Sequence, residues 1–211
     1  MCWSATAGLW AGLGIGAVGV ACLAAVRRPG DVPLAALPLL LGVHQIVEAA
    51  VRRADGGAGT ATLAWAVIAL PLLPVWVSSG VLAAARPADR PRLHAPLTAG
   101  TVTAAFLAYR LAVRPVTAEV RGHTLGYAVD VPYAPLVLAG YLLATVGALL
   151  LARDRVLRLL GLVTGVGAAV CALLWSTEFL STWCALAAVA SLLLLVWIRR
   201  RPAVTPGPLS S

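Results

Sequence analysis

The residues best suited to chemistry lie in the segment 44–48, where His44, Gln45 and Glu48 interrupt an otherwise apolar run. His44 and Glu48 are four residues apart, so on a helix their side chains project from one face. Imidazole and carboxylate at this spacing suit a pair of metal ligands or an acid/base pair. They equally suit a His–Glu hydrogen bond that stabilises the packing of a helix bundle, and the sequence leaves both interpretations open.

Two cysteines near opposite ends of the chain, Cys2 and Cys184, form a second candidate set. Both are predicted on the outer side of a membrane, where an oxidising compartment permits a disulfide between them. The same two thiols could instead bind a metal, act as a redox pair, or be inert. Cys22 and Cys171 lie within apolar runs and are predicted to be buried side chains.

A polar loop between two apolar runs, residues 114–131, contains His123. Apolar and polar residues alternate over Val116–Val120 and Leu125–Val129, which predicts a short hairpin that could fold down as a lid. Its histidine is either a functional group or a solvated loop residue. Arg110, just before the loop, is predicted to reach the lipid headgroups or to pair with Glu48 or Glu178.

The amino-acid composition indicates whether these residues lie in a water-soluble domain or in a membrane. Apolar residues make up 61% of the chain and charged residues 11%, whereas a soluble domain carries about 25% charged residues. The net charge is +8 and every basic residue is arginine, which excludes a retinal-type Schiff base on lysine. The arginines flank apolar runs, so a lipid bilayer is the expected partner and nucleic acid is not.

Seven apolar runs are long enough to cross a bilayer, which takes about 20 residues. The fold expected is therefore all-α, a polytopic bundle of seven transmembrane helices forming one domain over residues 1–201. Residues 202–211 are predicted to be a disordered cytoplasmic tail. The predicted helices are Ala7–Val26, Val32–Val51, Ala61–Ala85, His94–Val113, Pro132–Ala152, Val156–Ser176 and Leu180–Ile198.

The arginines also predict the orientation, because positively charged loops stay in the cytoplasm. One side of the predicted bundle carries 11 arginines and the other five, among them Arg52 and Arg53. The N-terminus is then outside and the C-terminus cytoplasmic. The Ala-, Gly- and Arg-rich composition suggests a GC-rich bacterial genome, and hence a multi-pass protein of the bacterial cell membrane. The candidate polar residues then gather on the outer face: Cys2, His44, Gln45, Glu48, Arg110, His123, Glu178 and Cys184.

The start of the chain, Met1-Cys2-Trp3-Ser4-Ala5, resembles that of a family of uncharacterised bacterial seven-helix membrane proteins that often open Met-Cys-Phe-Ser-Ala. The likeness continues through Leu39–Glu48 and covers essentially the whole chain. The sequence departs from the family at Trp3, where Phe is usual, and at His44, where Gln is common. The family has no assigned function, so no activity, cofactor or substrate follows. The positions that match its motifs are Cys2, Gln45, Glu48, His123, Trp183 and Cys184.

Three functions remain open at this point. The first is a non-catalytic binding or sensing protein with an outward-facing polar site and a Cys2–Cys184 disulfide. The second is an outward-facing metal-dependent hydrolase acting on a lipid, with Glu48 or His123 as general base. The third is a small-molecule or ion transporter, which prolines within the spans would favour and the absence of a visible duplicated half disfavours.

Overall fold

The computed structural model describes residues 5–121, 124–173 and 179–202, with the side chains of 120, 121, 124, 171–173 and 179–184 left out. These residues are mostly helical and form seven α-helices and one β-hairpin. Where the structure describes a helix end, it lies within two residues of the predicted one. The helices are α1 (Ala5–Ala24), α2 (Val32–Arg53), α3 (Thr60–Ala84), α4 (His94–Val113), α5 (Ala134–Leu151), α6 (Arg155–Leu173) and α7 (Phe179–Arg200).

Helices α1 to α5 are long and apolar enough to cross a membrane, judged on the part of the chain that the structure describes. A π-helical turn interrupts α3 at Ile68–Leu72 and α5 at Leu143–Gly147. Pro71 lies in the first of these turns. Proline has no N–H to donate to the helix, so a local change of pitch at Pro71 is expected.

Helices α1 and α2 pack closely because glycines meet where they cross. A Cβ atom on Gly42 would lie 2.7 Å from the carbonyl oxygen of Gly12 and 2.8 Å from the backbone nitrogen of Gly16. No side chain fits at that distance, so glycine allows the two backbones to approach. The pair Gly12 and Gly16 has the small-xxx-small spacing typical of such contacts, and its partner Gly42 is visible only in the structure.

The main apolar core fills the end of the bundle at which the arginine-rich connections lie. Leu34 of α2, Val81 of α3, Leu160 of α6, and Leu194 and Trp197 of α7 are almost completely buried in it. The buried Cys22 of α1 belongs to the same core, as predicted.

An ion pair closes this end of the bundle. The Arg201 guanidinium donates to both carboxylate oxygens of Asp31, at 3.0 and 2.7 Å, and to the Ala84 carbonyl at 2.8 Å. Asp31 is completely buried. The pair therefore joins the residue just before α2 to the residue just after α7.

At the opposite end, a hairpin of β1 (Thr117–Arg121) and β2 (Thr124–Ala128) folds onto the bundle. The strands pair antiparallel, with Thr117 opposite Ala128 and Arg121 opposite Thr124. The predicted hairpin is thus confirmed within one residue at each end. Val51 of α2 packs against Ala118 and Leu125 of the hairpin, so the hairpin covers the ends of the helices.

Candidate functional site

The polar residues of α2 lie beneath the hairpin and are shielded from solvent. Only 6% of His44, 3% of Gln45 and 7% of Glu48 is exposed. His44 and Glu48 lie on one face of α2, as their spacing predicts, and their burial shows that this face turns toward the bundle interior. Burying polar side chains in an apolar bundle costs free energy, so these three residues are expected to have a specific structural or functional role.

Two aromatic rings connect the α2 residues to the hairpin. Trp65 of α3 lies beside the His44 ring, with centroids 5.3 Å apart and the planes tilted by 39°. Tyr127 of β2 stacks on Trp65, with the two ring centroids 3.5 Å apart and the ring planes inclined by only 4°. His44, Glu48, Trp65 and Tyr127, with Gln45, are called the polar cluster below.

The electrostatics of the polar cluster are set by Glu48 and by Arg52, one turn further along α2. The positive charge of Arg52 acts on both Glu48 and Tyr127. Burial raises the pKa of Tyr127 far above its ordinary range, and the negative charge of Glu48 raises it further, while Arg52 opposes the shift. The Tyr127 hydroxyl therefore keeps its proton and remains a hydrogen-bond donor.

Several polar atoms of the cluster are buried without a hydrogen-bond partner in the described part of the chain. They are His44 Nε2, Trp65 Nε1 and the Tyr127 hydroxyl. The Trp65 N–H interacts with the Glu48 carboxyl, but the geometry falls outside that of a hydrogen bond. A buried polar atom left without a hydrogen bond costs about 1–3 kcal/mol, so a ligand that paired with these atoms would gain binding free energy.

The hairpin is held over the polar cluster by the α2–α3 connection. Gly57 and Ala118 exchange two backbone hydrogen bonds, of 2.7 and 3.1 Å. The Thr62 hydroxyl donates to the Gly57 carbonyl at 2.9 Å. Gly56 has a φ of +82°, and a Cβ there would collide with the Ala118 carbonyl oxygen. Glycine at position 56 therefore allows the hairpin to approach the connection.

Arg110 does not pair with Glu48, one of its two predicted partners. Its guanidinium donates to the Asp130 carboxylate at 2.6 Å and to the Asp130 backbone carbonyl at 3.0 Å. The end of α4 and the residue two positions after β2 are close in space, which makes Asp130 the nearer carboxylate. Arg110 therefore fixes the base of the hairpin and does not belong to the polar cluster.

Four other predicted site residues cannot be placed. Cys2, His123 and Glu178 lie outside the described residues, as does the side chain of Cys184. The proposed Cys2–Cys184 disulfide and the predicted tail beyond residue 202 therefore stay predictions. Within the described residues, no group of three or more His, Cys, Asp or Glu side chains could hold a metal ion.

Comparison with known proteins places the chain in a family. The model of DUF6629, a family of unknown function, matches residues 1–208. The chain belongs to this family. No curated protein and no solved structure matches it. Membership of DUF6629 agrees with the resemblance noted in the sequence, in that it covers the whole chain and carries no assigned function.

In this DUF6629 protein, two residues that act on the polar cluster were not singled out from the sequence: Trp65, which belongs to the cluster, and Arg52, which lies one turn beyond Glu48 on α2. Trp65 lies within an apolar run, where tryptophan is readily taken for an interfacial anchor. Arg52 was counted only as a loop charge. The four-residue spacing of Glu48 and Arg52 on α2 was an available signal, whereas placing Trp65 beside Glu48 required the relative positions of α2 and α3.

Proposed function

We propose that this protein crosses the bacterial cell membrane seven times, with its N-terminus outside and its C-terminus in the cytoplasm. Seven helices and the excess of arginine in one set of connections support this arrangement. Arg52 is one of the five arginines on the predicted outer side, and its charge is offset by that of Glu48, one turn earlier on α2. Residues 1–201 then form one membrane domain, and 202–211 a disordered cytoplasmic tail.

Within that arrangement, the protein acts as a non-catalytic receptor that binds a small polar ligand in the polar cluster beneath the hairpin. The carrying observation is that His44 Nε2 and the Tyr127 hydroxyl are buried in one group without hydrogen-bond partners among the described residues, and that the Trp65 N–H beside them reaches the Glu48 carboxyl only outside hydrogen-bond geometry. A ligand with its own donors and acceptors would satisfy them. Binding sites commonly combine an apolar lining with a few convergent polar groups of this kind.

The chemistry of the cluster limits the ligand. The Trp65 N–H and the Tyr127 hydroxyl can donate, whereas Glu48 accepts and His44 Nε2 can do either. The flat, stacked rings of Trp65 and Tyr127 offer an apolar wall. A small, partly planar molecule that carries oxygen or nitrogen acceptors fits these groups best.

The hairpin controls access to the cluster. Tyr127 stands on the hairpin, whereas Trp65 and the α2 residues stand on the membrane helices. Lifting the hairpin would separate the stacked rings and open the cluster to the outside. Ligand entry is therefore coupled to a movement of the hairpin, which gives a sensing protein a structural change to transmit.

Binding is preferred to metal-dependent hydrolysis because of the ligand set. A catalytic zinc site needs three protein ligands and an open position. His44 and Glu48 are two suitable side chains, and among the described residues no third one joins them. No observation on the described residues favours the transporter over the receptor.

Retention of a ligand tests this function. The full chain is purified in mild detergent from its native membranes, and the small molecules released by denaturation are identified by mass spectrometry. We expect a polar compound at near-stoichiometric amount from the wild type and much less from Glu48→Gln. Identical small-molecule profiles from the two proteins, with both folded, would contradict the receptor function.

A further inference from the structure

A separate cavity lies at the arginine-rich end of the bundle, far from the polar cluster. It is bounded by the ends of α3, α5 and α7 and by the connection that precedes α4, and its volume is about 190 Å³. Pockets for drug-sized molecules start at roughly 300 Å³. This cavity is therefore suited to a single small group rather than to an extended ligand.

Its wall combines apolar and charged side chains. Four arginines face two aspartates there: Arg86, Arg92, Arg153 and Arg201 against Asp89 and Asp154. Arg201 is already neutralised by Asp31, and its guanidinium lies over the Trp197 ring at 5.1 Å. Asp154 is also engaged, since its Oδ1 accepts from the Val156 N–H at 2.8 Å and so caps the start of α6.

Two of the remaining arginines share one carboxylate oxygen. Arg153 Nε and Arg92 Nη2 lie 2.9 and 3.4 Å from the same oxygen, Asp89 Oδ1. That buried oxygen nevertheless has no hydrogen bond of acceptable geometry. The negative charge of Asp89 thus holds the two guanidinium groups close together. Some of their N–H groups remain available to donate to another acceptor.

Arg86 adds a further cation to the rim of the cavity. It is exposed, and it forms no ion pair or hydrogen bond with a described residue. Three arginines with available N–H groups therefore converge on a cavity for one small group. Guanidinium groups recognise phosphate with particular strength, because their planar N–H forks match its oxygens.

We propose that this cavity binds a phosphate group, with Arg86, Arg92 and Arg153 as its donors. The group is either the headgroup phosphate of an anionic membrane lipid or a soluble phosphate compound. Both can reach the cavity, because basic pockets between the ends of membrane helices are accessible from the headgroup layer and from water. Asp89 holds two of the arginines in place for this purpose.

Binding measurements on the purified full chain in maltoside micelles test the proposal. One arm titrates inorganic phosphate by calorimetry, and the other measures retention of phosphatidylglycerol by native mass spectrometry. Binding of phosphate itself identifies a soluble source, and retention of the lipid alone identifies a headgroup. Either result supports the site, whereas failure of the wild type to bind both probes would overturn it.

Arginine variants separate a built site from general positive charge. Loss of one charged hydrogen-bonding partner in Arg86→Gln or Arg153→Gln should weaken binding by about tenfold. Arg90→Gln is the matched control, because Arg90 lies in the same connection, is exposed and does not line the cavity. Equal weakening by Arg90→Gln would show a diffuse charge effect and overturn the proposal. Unchanged thermal unfolding midpoints confirm that each variant is folded.

Discussion

Tyr127 lies flat on Trp65, with the two ring centroids 3.5 Å apart and the ring planes inclined by 4°. This stack joins a hairpin outside the predicted spans to a helix within one of them. A contact that served only to stack the two rings would not need the tyrosine hydroxyl. The Tyr127 hydroxyl is buried without a hydrogen-bond partner among the described residues and is therefore available to a ligand.

The first prediction compares two buried tyrosines. The Tyr141 hydroxyl donates to the Ala69 carbonyl at 2.6 Å, so Tyr141→Phe should lower the free energy of unfolding by about 1 kcal/mol. Tyr127→Phe removes a hydroxyl that has no such bond, and should leave stability unchanged or slightly raised. Unfolding of the ligand-free proteins in mixed micelles measures both, because a retained ligand would itself stabilise the wild type. A loss for Tyr127→Phe as large as that for Tyr141→Phe would show that its hydroxyl is paired within the protein.

The second prediction concerns the attachment of the hairpin. Gly56→Ala places a methyl group against the Ala118 carbonyl at a φ of +82°, and should destabilise the protein by more than about 1 kcal/mol. Gly59→Ala is the control, because Gly59 has ordinary backbone angles and open space around its Cα. Hydrogen exchange should show faster exchange of the β1 amides in Gly56→Ala only. Equal exchange in both variants would argue against the α2–α3 connection as the anchor.

The third prediction concerns the ion pair at the arginine-rich end. Asp31 is completely buried and receives two hydrogen bonds from Arg201. Removing one partner leaves a buried charge, so Asp31→Asn or Arg201→Gln should each cost about 3–5 kcal/mol in unfolding free energy. Arg200→Gln, at an exposed neighbouring position, should cost less than about 0.5 kcal/mol. Similar losses for Arg200→Gln and Arg201→Gln would contradict the assigned role of the pair.

The fourth prediction tests the orientation. A membrane-impermeant maleimide should label Tyr133→Cys in intact cells, because Tyr133 is 77% exposed and follows the hairpin. Arg90→Cys, on the arginine-rich side, should be labelled only after permeabilisation. Peptide mass spectrometry locates the modified cysteine in each case. The reverse labelling pattern would place the polar cluster on the cytoplasmic side.

Much of the fold follows from local patterns in the sequence. Apolar runs of sufficient length predict each helix, and the alternation on both sides of Arg121-Gly122-His123 predicts the hairpin, because both signals depend only on near neighbours along the chain. The shared face of His44 and Glu48 follows from helical periodicity in the same way.

The contacts between distant segments could not be predicted from those patterns. From the sequence alone, Arg110 could pair with any of several acidic residues. Only the fold shows that Asp130 lies beside it. The pairing of Asp31 with Arg201 joins residues 170 positions apart. Trp65 and Tyr127 were each visible as aromatic residues, but their stacking depends on how the hairpin settles on α2 and α3.

The central claim is that the polar cluster is a ligand site and not only a packing element. The most direct test measures the small molecules retained by purified Tyr127→Phe and Tyr141→Phe, alongside the wild type. Our account predicts that Tyr127→Phe, although as stable as the wild type when both are ligand-free, loses the retained polar compound, whereas the less stable Tyr141→Phe keeps it. Retention that follows stability instead, with the compound lost only from Tyr141→Phe, would contradict the account.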